Sequence, residues 1–361
     1  MGRLGEACTI QATITARNTD RVLLAAPPIG GWCTAKYCRT GEAEVAFIVP
    51  SGPDCFDCEG YADIDDWATE LTIWRDGIIA FVGPVTRVSF QGAHIIVHAL
   101  DLSAWWSVRT VAANTITGTD LSTIFEAYHA QAMTGDPIVG MQTVTTPTGI
   151  LADRTNLADM LMADEAIRSL TEQGAAWTMF ERYVLVNHFA AHLPMLTDQA
   201  WNPTPQIVHE GRLRASRIVL TGGGTTVPAI ATADTAFIDR YGLIVRKLSA
   251  SDITNQAELQ QMADALLAYS RYPILIDTPT GSALSPDAPI DFADLIPGST
   301  VTVDTSASCR TLNADFIIDE RRLNMNGTVE LSLAPVGARV SGRYFWPKNL
   351  GDLFRQLAAS L

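Results

Sequence analysis

The chain has 361 residues, of which 47% are hydrophobic and 18% are charged. This balance predicts two or three folded domains and excludes an intrinsically disordered chain. The formal net charge of −14 argues against a protein that wraps nucleic acid, because neutralising phosphates requires clustered Lys and Arg. No stretch approaches the ~18 apolar residues that a membrane-spanning helix needs. Six cysteines over this length do not indicate a disulfide scaffold.

The first part of the chain carries the patterns of β-strands. Segments of alternating or β-branched residues, bounded by Gly, Pro and Asp, span Thr9 to Thr15, Glu44 to Val49, Glu70 to Arg75, Ile78 to Phe81, Val85 to Phe90 and Ala93 to Ala99. Asp76-Gly77 predicts a tight hairpin because both residues tolerate positive φ. Gly83-Pro84 is expected to interrupt the strand that follows this hairpin. Antiparallel strands at this spacing predict a β-barrel domain over residues 1–110.

The middle of the chain changes to helical periodicity. Asp120 can cap a helix that runs to Ala132 and buries one apolar face. A second helix is expected over Asn156 to Gln173, ending at Gly174. Trp177 to His188 then predicts a hairpin that turns at Glu181-Arg182. Residues 111–205 are therefore expected to form a helix-containing segment inserted between two β domains.

The third region returns to β-strand patterns around one helix. Strands are expected over Ser216 to Thr221, Ser299 to Thr305, Ala314 to Asp319 and Thr328 to Leu333. The helix is expected over Asn255 to Tyr269, with Leu259, Met262, Ala263, Leu266 and Leu267 at helical spacing. These elements predict a second β domain over 206–340, followed by an amphipathic tail over 341–361 with a helix from Asn349. The fold class expected for the whole chain is β-rich α+β.

Four cysteines form the clearest chemical signal. Four residues separate Cys33 from Cys38, and two residues separate Cys55 from Cys58. Thiolates at such spacings can share a tetrahedral zinc ion or hold an iron–sulfur cluster. The same residues are also compatible with disulfides or with unligated thiols, and the sequence leaves these alternatives open.

Catalytic signatures are missing from the sequence. It contains no Gly-x-Ser-x-Gly elbow, and no Cys–His pairing is evident. The eight tryptophans are expected to serve as anchors in cores and interfaces. The sequence therefore predicts a protein without enzymatic activity.

Two groups of motifs carry a family resemblance through their order and spacing. The first consists of Trp67 to Gly77, Gly83 to Val88 and Asp101 to Trp105. The second consists of Asp234 to Ile238, Tyr241-Gly242-Leu243, the Asn255–Tyr269 segment and Leu295 to Ser299. The first group resembles the N-terminal barrel of hub proteins from actinobacterial siphophages, and the second resembles a pattern found across phage tail hubs. The chain is thus similar, over roughly residues 10 to 335, to the baseplate-hub or minor tail proteins of long-tailed phages.

The resemblance implies a structural virion protein with tandem β-barrel-like hub domains. Three such chains close a pseudo-sixfold ring, so the expected assembly is a homotrimer at the tail tip, built in the host cytoplasm. Expected partners are the distal tail protein ring and other minor tail, fibre or spike proteins, with the tape-measure protein as a further candidate. No base-specific contact with nucleic acid is expected. Some relatives in the wider superfamily hold an iron–sulfur cluster, which bears on Cys33, Cys38, Cys55 and Cys58.

Two other functions remain open from the sequence. One is a cell-wall or carbohydrate-binding tail module, which would present an aromatic-lined groove. The other is a tail-associated hydrolase, which would bring titratable groups together in a cleft. A hub would instead present large surfaces for contact with other subunits.

Overall fold

The structure is a computed structural model of the chain. It describes Leu4 and residues 8–19, 21–48, 63–112, 114–156, 161–189, 192–209, 211–224, 227–250, 256–271, 273–277, 283–306, 312–336, 339–340 and 343–344. Within these ranges the fold is α+β and rich in β-strands, as the sequence predicts.

The strands are short, and several helical turns separate them. In the first 204 residues they are β1 (Ile10–Ala16), β2 (Val22–Ala26), β3 (Gly30–Lys36), β4 (Glu42–Ile48), β5 (Thr69–Arg75), β6 (Ile78–Gln91), β7 (His94–Leu100), β8 (Thr110–Val111), β9 (Asn114–Asp120), β10 (Gln142–Thr145), β11 (Leu151–Asn156), β12 (Leu161–Met162), β13 (Trp177–Phe180), β14 (Tyr183–Val186), β15 (Leu193–Thr197) and β16 (Trp201–Asn202). The later strands are β17 (Gln206–His209), β18 (Arg217–Gly222), β19 (Ala229–Thr232), β20 (Val245–Ala250), β21 (Ile274–Asp277), β22 (Ala283–Leu284), β23 (Thr300–Thr305), β24 (Leu312–Asn324), β25 (Val329–Pro335), β26 (Arg339–Val340) and β27 (Arg343–Tyr344). The α-helices are α1 (Leu121–Ala132), α2 (Ala163–Thr171), α3 (Thr235–Tyr241) and α4 (Gln256–Arg271), and 3-10 helices span Leu102–Val108, Asp198–Ala200, Gly211–Leu213 and Phe292–Asp294.

Residue contacts divide the chain into two units. Unit 1 comprises residues up to 204 together with 281–313 and 318–332. Unit 2 comprises 205–280, 314–317 and the described residues from 333 onward. The four segments expected from the sequence, 1–110, 111–205, 206–340 and 341–361, stay a prediction about independent domains.

Unit 1 is built on one long sheet. Its strand order is β16-β22-β25-β24-β3-β4-β7-β6-β5-β1-β2, and β23 pairs with both β24 and β15. Strand β6 is shared between two ladders: its first half pairs with β5 and its second half with β7. Since β24 pairs with β3, strands from the end of the chain lie in the same sheet as those from its beginning.

The expected interruption of a strand at Gly83-Pro84 is wrong, because β6 continues through both residues to Gln91. Gly83 and Pro84 are the last residues of β6 opposite β5, and Val85 is the first opposite β7. A Cβ atom on Gly83 would collide with the carbonyl oxygen of Leu100 and the backbone of Asp101. Glycine is therefore required where the strand changes partner and another backbone approaches closely.

Both predicted hairpins are confirmed. Strands β5 and β6 pair antiparallel around Asp76 and Gly77, whose φ angles are 51° and 82°. Strands β13 and β14 turn at Glu181, which has a φ of 53°. Positive φ at these turns suits the right-handed twist of the flanking strands.

The helices of unit 1 are predicted correctly in one case and only partly in the other. Helix α1 begins after Asp120, whose side chain accepts a hydrogen bond from the Ser122 backbone, and its predicted apolar face is buried. Helix α2 is shorter than the predicted Asn156–Gln173 helix, since β12 (Leu161–Met162) precedes it and pairs with β8. The predicted start at Asn156 is wrong. Leu161 and Met162 fit the helical periodicity, but their backbone pairs with β8 as a strand, and the helix begins only at Ala163.

Unit 2 contains a three-stranded sheet of order β19-β18-β20 that packs against α4. The predicted face of α4 is confirmed, since its apolar side chains Leu259, Met262, Ala263, Leu266 and Leu267 are buried. The amphipathic helix expected from Asn349 lies outside the described residues.

Replacing Gly83 with alanine tests whether glycine is required where β6 changes its partner strand from β5 to β7. We expect Gly83→Ala to lower the free energy of unfolding by about 2 kcal/mol or more, because the added methyl group meets backbone atoms that cannot rotate away. Urea unfolding monitored by tryptophan fluorescence measures the change. Gly30→Ala is the matched control, since Gly30 lies in β3 and its added Cβ would have no atom within 4 Å. Equal stability of the two variants would contradict the proposed constraint.

Candidate functional site

A row of polar and aromatic side chains crosses one face of the unit 1 sheet. Directly opposed residues of antiparallel strands project to the same face. The strand registers place the following residues in one row, from β6 across β7, β4 and β3 to β24: Arg87, His98, Glu44, Trp32 and Asn324. We call this set the cross-strand row.

His98 links two charged members of the cross-strand row. Its Nε2 lies 2.6 Å from Arg87 Nη2, and its Nδ1 lies 3.2 Å from Glu44 Oε2. Burial and the nearby Arg87 charge lower the pKa of His98, and Glu44 opposes this shift. A neutral imidazole fits these contacts, since Nδ1–H then donates to Glu44 while Nε2 accepts from Arg87.

At the other end of the cross-strand row, Arg322 contacts both Trp32 and Asn324. The Arg322 guanidinium carbon lies 4.5 Å from the Trp32 ring centroid, and Arg322 Nε donates to Asn324 Oδ1 at 3.2 Å. Asn324 Nδ2 in turn donates to Glu330 Oε1 at 2.7 Å. Side chains fixed in this way form an ordered polar surface that suits contact with another protein.

Strand β2 is one end of this sheet and is a second candidate surface. Within the described residues it pairs with β1 alone, so its outer edge carries no strand. Val22 is 53% exposed, and Ala25 is also exposed. An edge of this kind is a template for pairing with a strand of another chain.

A cavity of about 500 Å³ lies beside the loop before the Phe292–Asp294 turn, lined by Pro286, Asp287, Ala288, Pro289, Ile290, Asp291 and Asp294. Its lining contains no aromatic ring. Within the described ranges, no group of three or more His, Cys, Asp or Glu residues is arranged to hold a metal ion. None of the described helices is long and apolar enough to span a membrane.

The structure describes two of the four cysteines predicted to bind metal. Cys33 lies in β3 and is 2% exposed, and burial raises the pKa of its thiol to about 12. The chain stays extended from Cys33 to Tyr37, which pairs with Thr178, so this stretch spans about 13 Å. Cys38 follows, and its Sγ lies 3.5 Å from the Trp177 backbone nitrogen.

Cys33 and Cys38 are thus too far apart for one ion, because ligands of a shared zinc lie about 2.3 Å from it. Cys55 and Cys58 lie outside the described residues. The four-cysteine centre as a whole therefore stays a prediction.

An aromatic cluster fastens the helical segment to the strands within unit 1. The Trp106 ring packs edge-on against Trp177 and Phe125, and Trp106 Nε1 donates to His129 Nδ1 at 3.2 Å. The guanidinium of Arg109 lies 5.0 Å from the Trp105 ring centroid. These tryptophans are buried, which agrees with their predicted role as core anchors.

Sequence reasoning missed the cross-strand row. Its members are spread over five strands, so only the strand registers bring them together. The one available signal was the alternation of His94, Ile96 and His98 in β7, which places both histidines on one face.

No protein-family model matches the sequence, and no curated protein matches it. Solved structures do match. A tail protein from Neisseria meningitidis MC58 is 14% identical with a TM-score of 0.59, covering 90% of this chain and 96% of its own. The 43 kDa tail protein of prophage MuSo2 from Shewanella oneidensis is 11% identical with a TM-score of 0.59, covering 90% and 98%. Prophage tail protein gp18 from Listeria monocytogenes EGD-e is 11% identical with a TM-score of 0.60, covering 97% and 98%. The chain therefore has the fold of these three phage tail proteins.

The buried His129 predicts a pH dependence of stability. Burial, followed by the charge of Arg109, lowers its pKa from 6.5 to about 4. A lowered histidine pKa stabilises the fold above pH 6.5, and this contribution is lost as the pH falls toward 4. We expect His129 to account for about 2 kcal/mol of lost stability between pH 7 and pH 5.

Urea unfolding at the two pH values measures this loss. His129→Gln should reduce the difference between pH 7 and pH 5, whereas replacing the exposed His94 with glutamine should leave it unchanged. An unchanged difference in His129→Gln would show that His129 is not the responsible group.

Proposed function

We propose that this protein is a structural, non-enzymatic subunit of a phage tail tip. In this role it forms a trimeric hub that joins the distal ring of the tail tube to fibre or spike proteins. The observation that carries the proposal is the likeness to three tail proteins over nearly the full length of both chains. The coverage is mutual, since the three alignments span at least 90% of this chain and at least 96% of the other chain.

The surfaces of unit 1 support an assembly role. The exposed edge of β2 offers backbone groups to a neighbouring strand, and the cross-strand row offers fixed polar groups of both charge signs. We assign the β2 edge to contacts between copies of the chain, since edge pairing between subunits removes exposed strand edges. The cross-strand row is then available to the distal tail protein, to other minor tail or fibre proteins, or to the tape-measure protein.

A structural role also fits the aromatic residues. The tryptophans in the described ranges are all buried or half-buried. The buried ones are Trp105, Trp106, Trp177 and Trp201. A carbohydrate-binding module would instead expose such rings along a groove. The cavity near Phe292 is lined by aspartates, prolines, an alanine and an isoleucine, and it has no aromatic ring on which a sugar could stack.

A metal centre at the cysteines is a separate proposal. Cys55 and Cys58 have the spacing of a zinc or iron–sulfur ligand pair. Cys38 can join them only if the chain brings its Sγ close, and Cys33 is held in the sheet interior with a protonated thiol.

The oligomeric state tests the hub. We expect light scattering after size exclusion to give three times the chain mass of 39.0 kDa. The double variant Val22→Lys/Ala25→Lys should dissociate the trimer, because charged side chains on an edge strand oppose strand pairing. The control is Val139→Lys, at a residue that is 62% exposed outside any strand. A wild-type monomer, or a trimer unaffected by the β2 changes, would contradict this assignment.

Metal analysis of the purified protein tests the cysteine centre. We expect Cys55→Ser to lower the zinc or iron content, while Cys33→Ala leaves it unchanged because Cys33 cannot reach an ion shared with Cys38. Wild-type protein without stoichiometric zinc or iron would remove the metal proposal. A loss of metal in Cys33→Ala would contradict the geometry of β3.

A further inference from the structure

Arg75 is a charged side chain enclosed in the interior of unit 1. It is the last residue of β5, and its side chain is 1% exposed. Its Nε, Nη1 and Nη2 atoms are buried without a hydrogen-bond acceptor in the described part of the chain. The nearest carboxylate oxygen is Asp76 Oδ2, 3.6 Å from Nε, which exceeds a hydrogen-bond distance. The other oxygen of Asp76 accepts from the Thr9 backbone at 2.8 Å.

A second arginine lies beside the same aromatic ring. Arg321 in β24 is 4% exposed and donates to two backbone carbonyls, of Phe292 at 3.4 Å and of Ala80 at 3.2 Å. The guanidinium carbons of Arg75 and Arg321 lie 4.9 Å and 4.3 Å from the Phe292 ring centroid. Two positive charges thus share one ring, and neither makes a hydrogen-bonded ion pair within the described residues.

This arrangement leaves more positive than negative charge in the interior, because Arg75 and Arg321 carry two charges and, in the described part of the chain, the partly exposed Asp76 is the one carboxylate within ion-pair distance of either. Burial of a single ion is strongly unfavourable even after relaxation, and a cation–π contact offsets only part of that cost. Arginine does not lose its proton in proteins, so the charge remains when the side chain is buried. Burial, opposed by Cys33 and reinforced by the charge of Arg75, lowers the pKa of Arg321 to about 10. Water molecules would satisfy the N–H groups of Arg75 but would not neutralise the charge.

The sheet carries several small residues on this side. Arg321 is opposite Ala35 on β3, and Cys33, Ala43 and Ala99 on the same face also have short side chains, whereas the larger Leu323 lies opposite Cys33. All of these residues are buried. Because these residues and both arginines are buried, only a compact group is compatible with this part of the interior.

We propose that unit 1 binds one small inorganic anion of halide size, held by Arg75 and Arg321 beside the Phe292 ring. The unused N–H groups of Arg75 are its main donors. Small size follows from the exposure of 1% and 4% at the two arginines, which leaves no opening for a carboxylate of another protein. The anion enters as the chain folds and stabilises the folded state by neutralising the buried charge. This inference does not depend on the proposed tail function.

Equilibrium dialysis against bromide tests the site directly. The background salt is potassium gluconate, whose anion is too large for the site, and bromide is measured by mass spectrometry. The net charge of −14 repels anions in general, so non-specific uptake is low. We expect the wild-type protein to bind about one bromide per chain, and Arg75→Met and Arg321→Met each to lose it. Arg21→Met is the control, because Arg21 is 64% exposed and pairs with Asp63 at the surface.

A second measurement covers the case in which the core variants do not fold. Urea unfolding of the wild-type protein in increasing bromide, at constant ionic strength in gluconate, should show a midpoint that rises with the logarithm of bromide concentration. Wild-type protein without bound bromide and with a constant midpoint would overturn the proposal. A folded Arg75→Met variant that still binds bromide would overturn it as well.

Discussion

The passage of β6 from one partner strand to the next is the constraint on which unit 1 depends. One strand of fourteen residues pairs first with β5 and then with β7, and it changes partner where Gly83 meets the backbone of Leu100 and Asp101. Only glycine permits this approach. Asp101 helps to fix the backbone that Gly83 approaches. Its buried carboxylate accepts hydrogen bonds from the backbone nitrogen of Ser103, at 2.9 Å, and from the backbone nitrogen of Gly41. Because β6 pairs with both β5 and β7, it joins strands β1, β2 and β5 to strands β3, β4 and β7 in one sheet.

The candidate functional features follow from this sheet. The same registers that place Val85 and Ala99 inside place Arg87 and His98 outside, where they form the cross-strand row. The hairpin before β6 brings Arg75 into the interior, and the Ala80 carbonyl in β6 accepts a hydrogen bond from Arg321. Strand β2 is left as a free edge within the described part of the sheet. One sheet thus supplies a strand edge that is free within the described residues, an ordered polar face and an interior that holds buried charge.

The features that the sequence predicted correctly are those that depend on residues close together in the chain. The Asp76-Gly77 hairpin, the helix that Asp120 caps and the apolar face of α4 depend on turn geometry, capping and periodicity, and all three are confirmed. The pattern of alternation also located strands β1, β4 to β7, β18 and β23 to β25, though not always at their full length. Gly83-Pro84 was interpreted as a break because glycine and proline weaken isolated strands, whereas here a second backbone packs against the glycine.

Long-range pairing could not be predicted in the same way. Nothing local in Arg321 or Ala35 shows that β24 pairs with β3 across almost three hundred positions. The cross-strand row and the buried arginine pair arise from such registers, so both escaped the sequence analysis. The cysteine motif also depends on long-range placement. An extended stretch runs from Cys33 to Tyr37, while Cys55 and Cys58 lie outside the described residues, so the four-cysteine centre stays a prediction.

We have proposed that this fold serves as a trimeric hub at the tip of a phage tail. Electron cryomicroscopy of intact tails that contain this chain tests it most directly. We expect three copies around the tail axis at the distal end, with the β2 edge of unit 1 at the contact between neighbouring copies. A reconstruction with the chain elsewhere in the virion, or with a ring of six copies, would contradict it.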